Sequence, residues 1–123
     1  MAGNLSNYLE NKLLDHFLGT TAYTMPTTVY VGLYTVVPTD AGGGTQVTGG
    51  SYARQTATFS AAASGTTSNT ANIDFAGMPA ATTVAIGIFD AITSGNLLLW
   101  GTLTANKTTD AGDTLRIATG DLD

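Results

Sequence analysis

The stretch Thr-Val-Tyr-Val-Gly-Leu-Tyr-Thr at residues 28–35 decides how this sequence is interpreted. It consists largely of β-branched and aromatic residues, which favour an extended backbone and pack well on a pleated surface. A similar run, Val-Ala-Ile-Gly-Ile-Phe, occupies residues 84–89 and also carries a central glycine. Because the two runs are so alike, we predict neighbouring strands. A glycine in mid-strand marks either a close backbone approach or a bulge.

Four further stretches have the composition of strands and are bounded by turn sequences. These predicted strands lie at residues 52–59, 71–75, 97–103 and 115–117, and the small, polar residues 60–69 are interpreted as a linker. In the first of them Tyr52 and Arg54 fall on one face, and Ala53 and Phe59 on the other. Parallel strands would need crossover helices between them, and no such pattern is present. We therefore predict an antiparallel β-sandwich, jelly-roll or immunoglobulin-like.

The N-terminal segment has a different periodicity, with leucine or phenylalanine at intervals of four from residue 5 to residue 17. This spacing predicts one amphipathic α-helix over residues 5–18. Asn4 or Asn7 is a suitable N-cap, and Gly19 can adopt the left-handed conformation that ends a helix.

The length of 123 residues suits one core and is too short for two. We therefore predict a single domain over residues 1–123, in which residues 1–19 hold the N-terminal helix and residues 20–123 form the sandwich.

Charged residues make up only 11% of the sequence, less than half of their share in a typical soluble domain. Threonine, alanine, serine and glycine fill the difference, while hydrophobic residues make up an ordinary 43%. An isolated monomer usually carries more surface charge, so this composition favours a surface that other protein partly covers. A secreted β domain with a threonine-rich surface is the alternative.

The net charge of −5 argues against nucleic acid and against an anionic membrane as partners. The basic residues are scattered rather than clustered as a phosphate-binding surface requires, and they are Lys12, Arg54, Lys107 and Arg116. No signal peptide is recognisable, and no apolar stretch approaches the roughly 20 residues of a membrane-spanning helix. We therefore expect synthesis in a cytoplasm.

The sequence offers little for catalysis or metal binding. It contains no cysteine and a single histidine, His16. A catalytic His16 would need a serine nucleophile, yet no nucleophile-elbow pattern is present, so a solvated or interface histidine is the simpler interpretation. Asp110 and Asp113 could bind Ca²⁺ weakly, but aspartates in turns usually bond their own backbone. We expect no catalytic residue, no metal and no cofactor.

Gly42, Gly43 and Gly44 form a glycine run without the lysine and helix of a phosphate-binding loop. We predict a long flexible loop that is able to reach a neighbouring subunit. Trp100, the only tryptophan, is expected to anchor the core, with an interface hot spot as the alternative.

Arg54 lies in an alternating strand, where an arginine usually pairs with a carboxylate. Asp90 or Asp74 is the expected partner, within the chain or across a subunit contact. The alternative is an exposed Arg54 whose aliphatic stem packs on Tyr52.

Several segments together resemble a family of small proteins encoded among the virion genes of tailed phages. They are residues 7–16 (NYLENKLLDH), 29–35 (VYVGLYT), 38–45 (PTDAGGGT), 49–55 (GGSYARQ), 87–91 (GIFDA) and 96–101 (NLLLWG). No single segment is specific, but the combination spans nearly the whole chain. The resemblance implies no catalytic residues, and it leads us to expect a slightly longer final strand after Leu122.

The resemblance implies a phage virion structural protein. We expect a capsid decoration (cement) protein that bridges major capsid subunits, with a tail component as the alternative: a fibre, an adaptor or a receptor-binding module. Its expected partners are copies of itself in a homo-oligomer, with a trimer favoured, and the major capsid protein or other virion proteins. The expected interface residues are Tyr8, Lys12, His16, Gly42, Gly43, Gly44, Tyr52 and Arg54.

Overall fold

The computed structural model describes residues 4–122 of the chain. Within that range the chain forms one helix and eight strands, in the order β1 (Asn4–Leu5), α1 (Asn7–Phe17), β2 (Val29–Val36), β3 (Thr45–Gln46), β4 (Gln55–Ala57), β5 (Ile73–Met78), β6 (Ala81–Phe89), β7 (Leu97–Thr109) and β8 (Asp113–Ile117). Among these residues no helix is long and apolar enough to cross a membrane.

The strands form two antiparallel sheets that pack together like a sandwich, as predicted. The main sheet has the order β1-β7-β6-β2-β3, and β4 also pairs with β2. The second sheet consists of β5 and β8. The prediction of a mainly β chain with one short N-terminal helix is therefore confirmed.

β2 and β6 lie side by side at the centre of the main sheet, which confirms that the two similar runs are neighbouring strands. Their register places Gly32 directly opposite Gly87. Because side chains alternate between the faces of a strand, the flanking residues Val31, Leu33 and Ile86 point to the opposite side from the two glycines. These three side chains are at most 1% exposed and belong to the main core.

The core lies between the two sheets. It consists of buried Val31, Leu33, Val47, Ala57, Ile73, Phe75, Met78, Ile86, Leu115 and Leu122. The opposite side of the main sheet, called here the outer face, carries a smaller cluster of Tyr34, Ala85 and Phe89. The main sheet is thus apolar on both sides at its centre, which explains the nearly continuous burial of β2.

Several strand boundaries differ from the prediction. The segment predicted as residues 52–59 pairs only at Gln55–Ala57, whereas β7 extends six residues beyond the predicted end at 103. The short strands β1 and β3 were not predicted. A strand of two or three residues is too short to show a periodic pattern. The threonine-rich end of β7 lacks the alternation of apolar residues that would have predicted it.

The predicted linker at residues 60–69 is a hairpin-like ribbon. Isolated bridges join Phe59 to Asn69 and Ala63 to Thr66. At its tip Ser64 and Gly65 have φ values of 53° and 76°, as a tight turn of type I′ requires.

The helix begins at Ser6 rather than at the predicted Asn4 or Asn7 caps. The Ser6 hydroxyl accepts a hydrogen bond of 3.2 Å from the backbone N–H of Leu9, which is the geometry of an N-cap. Ser6 is buried, and its own backbone N–H donates to the carbonyl of Leu98 in β7. Gly19, with φ of 81°, follows the last turn as predicted.

Asn69 holds the end of the described chain against the sandwich. Its side-chain amide donates to the carbonyls of Ala71 and Ala118, and its side-chain oxygen accepts from the N–H groups of Gly120 and Leu122 at 3.0 Å each. Asn69 is only 2% exposed, and its bond to the N–H of the buried Leu122 is shielded from water. The four bonds place the side chain of Leu122 in the core.

Replacing Asn69 by alanine should therefore lower the free energy of unfolding by about 2 kcal/mol, because the buried N–H of Leu122 loses its partner and three part-buried hydrogen bonds are lost with it. Urea unfolding of the purified protein measures the loss. Asn72→Ala is the matched control: Asn72 is exposed and accepts from the N–H and hydroxyl of Thr119, so its loss should cost less than about 1 kcal/mol. Equal losses in the two variants would contradict this role of Asn69.

Candidate interaction surfaces

Tyr52 fills a gap along one edge of β2. β4 pairs with β2 from Val29 to Val31, and β3 pairs with it from Tyr34, so the backbone of Leu33 lies between the two ladders. The N–H of Leu33 donates to the Tyr52 hydroxyl at 2.8 Å, and the carbonyl of Leu33 accepts from the N–H of Val47 at 2.9 Å. A side chain thus replaces a missing strand partner, because a buried backbone N–H without one would be costly.

The ring of Tyr52 is stacked on Phe75 of the second sheet, with a centroid distance of 6.0 Å and an interplanar angle of 14°. Tyr52 therefore connects the edge of the main sheet to the core. Burial raises the pKa of the Tyr52 hydroxyl, while the Leu33 N–H and Arg54 act in the opposite direction.

The central glycines of β2 and β6 make room for aromatic rings on the outer face. A Cβ atom at Gly87 would lie 2.8 Å from the Leu97 side chain and 2.9 Å from the Tyr34 ring. One at Gly32 would lie 3.0 Å from the Phe89 ring. The glycines thus mark a close approach of aromatic side chains, which shield backbone that glycine leaves bare.

Arg54 lies over this aromatic cluster. Its guanidinium carbon is 3.5 Å from the centroid of the Phe89 ring, a cation–π geometry. Its Nη1 donates to the carbonyls of Ala91 and Ser94 at 2.9 and 2.8 Å, and its Nε donates to the side-chain oxygen of Gln46 at 3.2 Å. One half-buried side chain thereby ties the β6–β7 connection to β3.

The predicted pairing of Arg54 with Asp90 or Asp74 is wrong. The Asp90 carboxylate accepts from the backbone N–H of Asn96 at 2.7 Å and from its side-chain amide at 2.9 Å, which closes the β6–β7 turn. Asp74 forms a two-bond ion pair with Arg116, which lowers the pKa of its carboxyl group. The alternative prediction of an exposed Arg54 is wrong too, because the side chain is half-buried with its guanidinium on the Phe89 ring.

The glycine run belongs to a compact, hydrogen-bonded turn rather than to the predicted long loop. Thr39 and Gly42 exchange backbone hydrogen bonds of 2.8 and 2.9 Å. The turn is attached to the chain itself, because the carbonyl of Asp40 accepts from the N–H of Asn7 at 2.7 Å. At Gly42 and Gly43 a Cβ would meet nothing within 4 Å, so these two positions face open space.

The prediction that Trp100 anchors the core is wrong. The tryptophan is half-buried and stands opposite Gly87 in the register, away from the side chains that face the core. Its indole N–H donates to the Asp40 carboxylate at 2.9 Å, so Trp100 also holds the glycine-rich turn in place.

Tyr8, Lys12 and His16 follow one another at intervals of four on α1 and therefore share one face. The Lys12 ammonium is 5.6 Å from the centroid of the Tyr8 ring. Nδ1 of the exposed His16 accepts a hydrogen bond of 3.0 Å from the N–H of Tyr23, which fixes the segment after the helix. Of the eight expected interface residues, the structure thus groups the helical three, the three glycines, and Tyr52 with Arg54.

The C-terminal end of α1 exposes a large apolar surface that the sequence pattern did not reveal. Only Leu9 of the helix is buried, although the periodic stripe continues to Phe17. Leu14, Phe17 and Leu18 are 58%, 75% and 77% exposed. These three side chains, called here the helix end, lie at i, i+3 and i+4 and form one face. Exposed apolar faces of this kind mark interaction sites.

A cleft of about 450 Å³ opens between β6, β7, β8 and the segment that ends at Leu122. Thr102 pairs with Ala85 and Lys107 with Thr83, so residues 103–106 of β7 bulge out opposite Val84 alone. The apolar lining of the cleft comprises Leu33, Ile86, Leu103, Ala105, Leu115, Ile117 and Leu122.

Thr83 also lines this cleft, and its hydroxyl is buried without a hydrogen-bond partner within residues 4–122. Such a group costs about 1–3 kcal/mol if it stays unsatisfied. It is the one feature of the cleft that points to an incoming polar group.

Asp110 and Asp113 form the predicted turn: the carboxylate of Asp113 accepts from the N–H of Asp110 at 2.8 Å. Among the described residues, no group of three or more histidine, aspartate or glutamate side chains could hold a metal ion.

The fold and these surfaces define a small structural β-protein, in which the main polar side chains bind the chain's own backbone. The family model described as Podophage GP4 fiber I protein gp80 matches residues 4–123. The chain belongs to this family, which confirms the resemblance to tailed-phage virion structural proteins. No curated protein matches the chain.

Arg54→Lys should lower the free energy of unfolding by about 1–2 kcal/mol. Lysine keeps the positive charge, but its ammonium group cannot lie flat on a ring and donate both to the β6–β7 carbonyls and to Gln46 as the guanidinium does. Urea unfolding measures the change. Arg116→Lys is the control, since Arg116 is an exposed arginine whose ion pair should contribute little. An Arg54→Lys variant as stable as the wild type would show that the positive charge alone is sufficient.

Tyr52→Phe keeps the ring but removes the acceptor of the Leu33 N–H, so it should cost about 1–2 kcal/mol at neutral pH. Because the folded pKa of Tyr52 is raised, its stabilising contribution is complete below the unfolded pKa of about 10 and is lost as pH rises through the folded pKa. The variant should therefore lose less stability than the wild type between neutral and strongly alkaline pH.

Unfolding measured across that pH range tests this expectation for Tyr52, with Tyr30→Phe, a half-buried tyrosine of β2, as the control. Part of the alkaline loss should persist in Tyr52→Phe, because burial also raises the pKa values of Tyr23 and Tyr34. An unchanged alkaline profile would refute the contribution of Tyr52.

Proposed function

We propose that this protein is a non-catalytic subunit of a phage fibre and that it acts in the virion by associating with copies of itself and with other virion proteins. The observation that carries the proposal is the match of residues 4–123 to a family described as a podophage fibre protein. No part of the proposal requires nucleic acid, a membrane, a metal or a cofactor.

The surface chemistry supports a role in assembly. Only 11% of the residues are charged, and the helix end leaves three large apolar side chains in water. Interfaces are depleted in charge at their centres, and the largest exposed apolar patch on a protein is often a binding surface. The main polar side chains, in contrast, are occupied within the chain, as for Arg54 and Asn69.

Capsid decoration is the second candidate, and the same low charge favours it. A cement protein binds at symmetric positions between capsomers and benefits from a surface that large neighbours cover. The two roles differ in the copy number and in the location of the protein on the particle. The copy number of a cement protein follows that of the capsid subunits, whereas the copy number of a fibre subunit follows the symmetry of the tail.

Quantitative mass spectrometry of purified particles, with the major capsid protein as internal standard, distinguishes the two. The fibre role predicts a small number of copies, set by tail symmetry, and gold-labelled antibody at a single vertex in electron micrographs. A ratio of one copy per capsid subunit, or a simple fraction of it, would reject the fibre role in favour of capsid decoration. Absence from particles would reject both roles.

A further inference from the structure

The described chain carries an apolar projection and an apolar cleft at different places. The projection is the helix end, Leu14, Phe17 and Leu18, which is 58–77% exposed. The cleft is lined by seven apolar side chains and opens beside the bulge of β7. Four of the seven are buried core residues at its floor, and Leu103, Ala105 and Ile117 are the accessible ones. Because the projection and the cleft lie at different places on one molecule, each can be buried by the other only in a contact between two copies.

We propose that the helix end of one copy inserts into the cleft of a second copy, with Phe17 and Leu18 against Leu103 and Ile117. This contact rests on the proposed function, since it is the means by which subunits of a fibre would join. It specifies which surfaces meet and makes the association directional.

The sizes of the two surfaces agree. A protein cavity of about 150 Å³ holds a benzene molecule, so the cleft of about 450 Å³ has room for a phenylalanine ring and two leucine-sized groups. The exposed area of the helix end is on the order of 400 Å², about half of what one partner contributes to a stable interface. The apolar centre of an interface of standard size is thus present, and polar rims would supply the remainder.

The polar groups agree as well. At the end of α1 the carbonyls of Leu14 and Asp15 already accept hydrogen bonds from N–H groups of the chain itself. The carbonyls of His16 and Phe17 accept none among the described residues, and the buried hydroxyl of Thr83 has no partner there either. A docked helix terminus brings acceptors to the cleft. Asp15, next to Leu14 on the exposed part of the helix, is opposite in sign to Lys107 at the cleft.

The contact is heterologous, because two different surfaces of the same chain meet. Such a contact repeats from copy to copy, and it either closes into a ring, such as a trimer, or continues as a filament. Pairing between two identical helix ends would instead produce a closed dimer.

The sequence contains no cysteine, so introduced cysteines report the contact without background. Asn11→Cys lies on the face of Leu14 and Leu18, and Thr104→Cys lies beside the cleft; both positions are exposed. Equal amounts of the two full-length variants are mixed under a mild oxidant, and the products are separated on non-reducing gels. Peptide mass spectrometry then identifies the joined residues. Ala62→Cys, exposed on the ribbon, replaces Thr104→Cys in the control mixture.

The expected result is a dimer joined between positions 11 and 104, at a yield at least about tenfold above the control mixture, because docking raises the effective concentration of the two thiols. The double variant Asn11→Cys/Thr104→Cys should form a ladder or one closed ring. Adding Phe17→Ser should reduce the yield to that of the control, and Phe17 is exposed enough for the fold to tolerate the change.

Two outcomes would overturn the contact. Asn11→Cys alone could cross-link as well as the mixture, which would mean that identical helix ends pair, or the mixture could give no more product than the Ala62→Cys control. Neither outcome bears on the fibre role, which is tested separately by the copy number of the protein on purified particles. Conversely, a specific 11–104 cross-link on a protein that is absent from particles would retain the contact and reject the fibre.

Discussion

Gly32 and Gly87 face each other across the two central strands, and the aromatic outer face depends on the space they leave. A methyl group at Gly87 would overlap Leu97 and Tyr34, so the rings of Tyr34 and Phe89 can lie close to the sheet only over glycine. The resulting surface supports the guanidinium of Arg54. Two residues without side chains thus determine where the rings of Tyr34 and Phe89 are placed on the outer face.

The connections of the sandwich follow from that arrangement. Arg54, seated on Phe89, reaches the carbonyls of the β6–β7 connection and the side chain of Gln46. Tyr52, two residues earlier, accepts from the Leu33 N–H through its hydroxyl and stacks its ring on Phe75. Strand β4 is only three residues long, so these two side chains supply much of the attachment that a longer strand would have supplied with its backbone.

The sequence predicts elements whose residues repeat a pattern, and it fails where a contact is set by tertiary structure. The strand at residues 84–89 and the termination of α1 before Gly19 were predictable, because periodicity and turn chemistry are local properties of the sequence. The partners of Arg54 were not predictable, because two of its three acceptors are backbone carbonyls about 40 positions away, and the residue type does not reveal such an acceptor. The exposed helix end was missed for the same reason, because an apolar stripe shows amphipathicity but not how much of it another element covers.

The distribution of polar groups argues for assembly more strongly than composition does. Asn69 and Arg54 donate hydrogen bonds within the chain, and Asp40 and Asp90 accept from Trp100 and Asn96. Charged groups are few in the sequence, and the net charge of −5 is spread over 123 residues. Against this background the helix end and the cleft with the unpartnered Thr83 hydroxyl are surfaces whose burial by protein would lower the free energy. The proposed association between copies depends on these two surfaces.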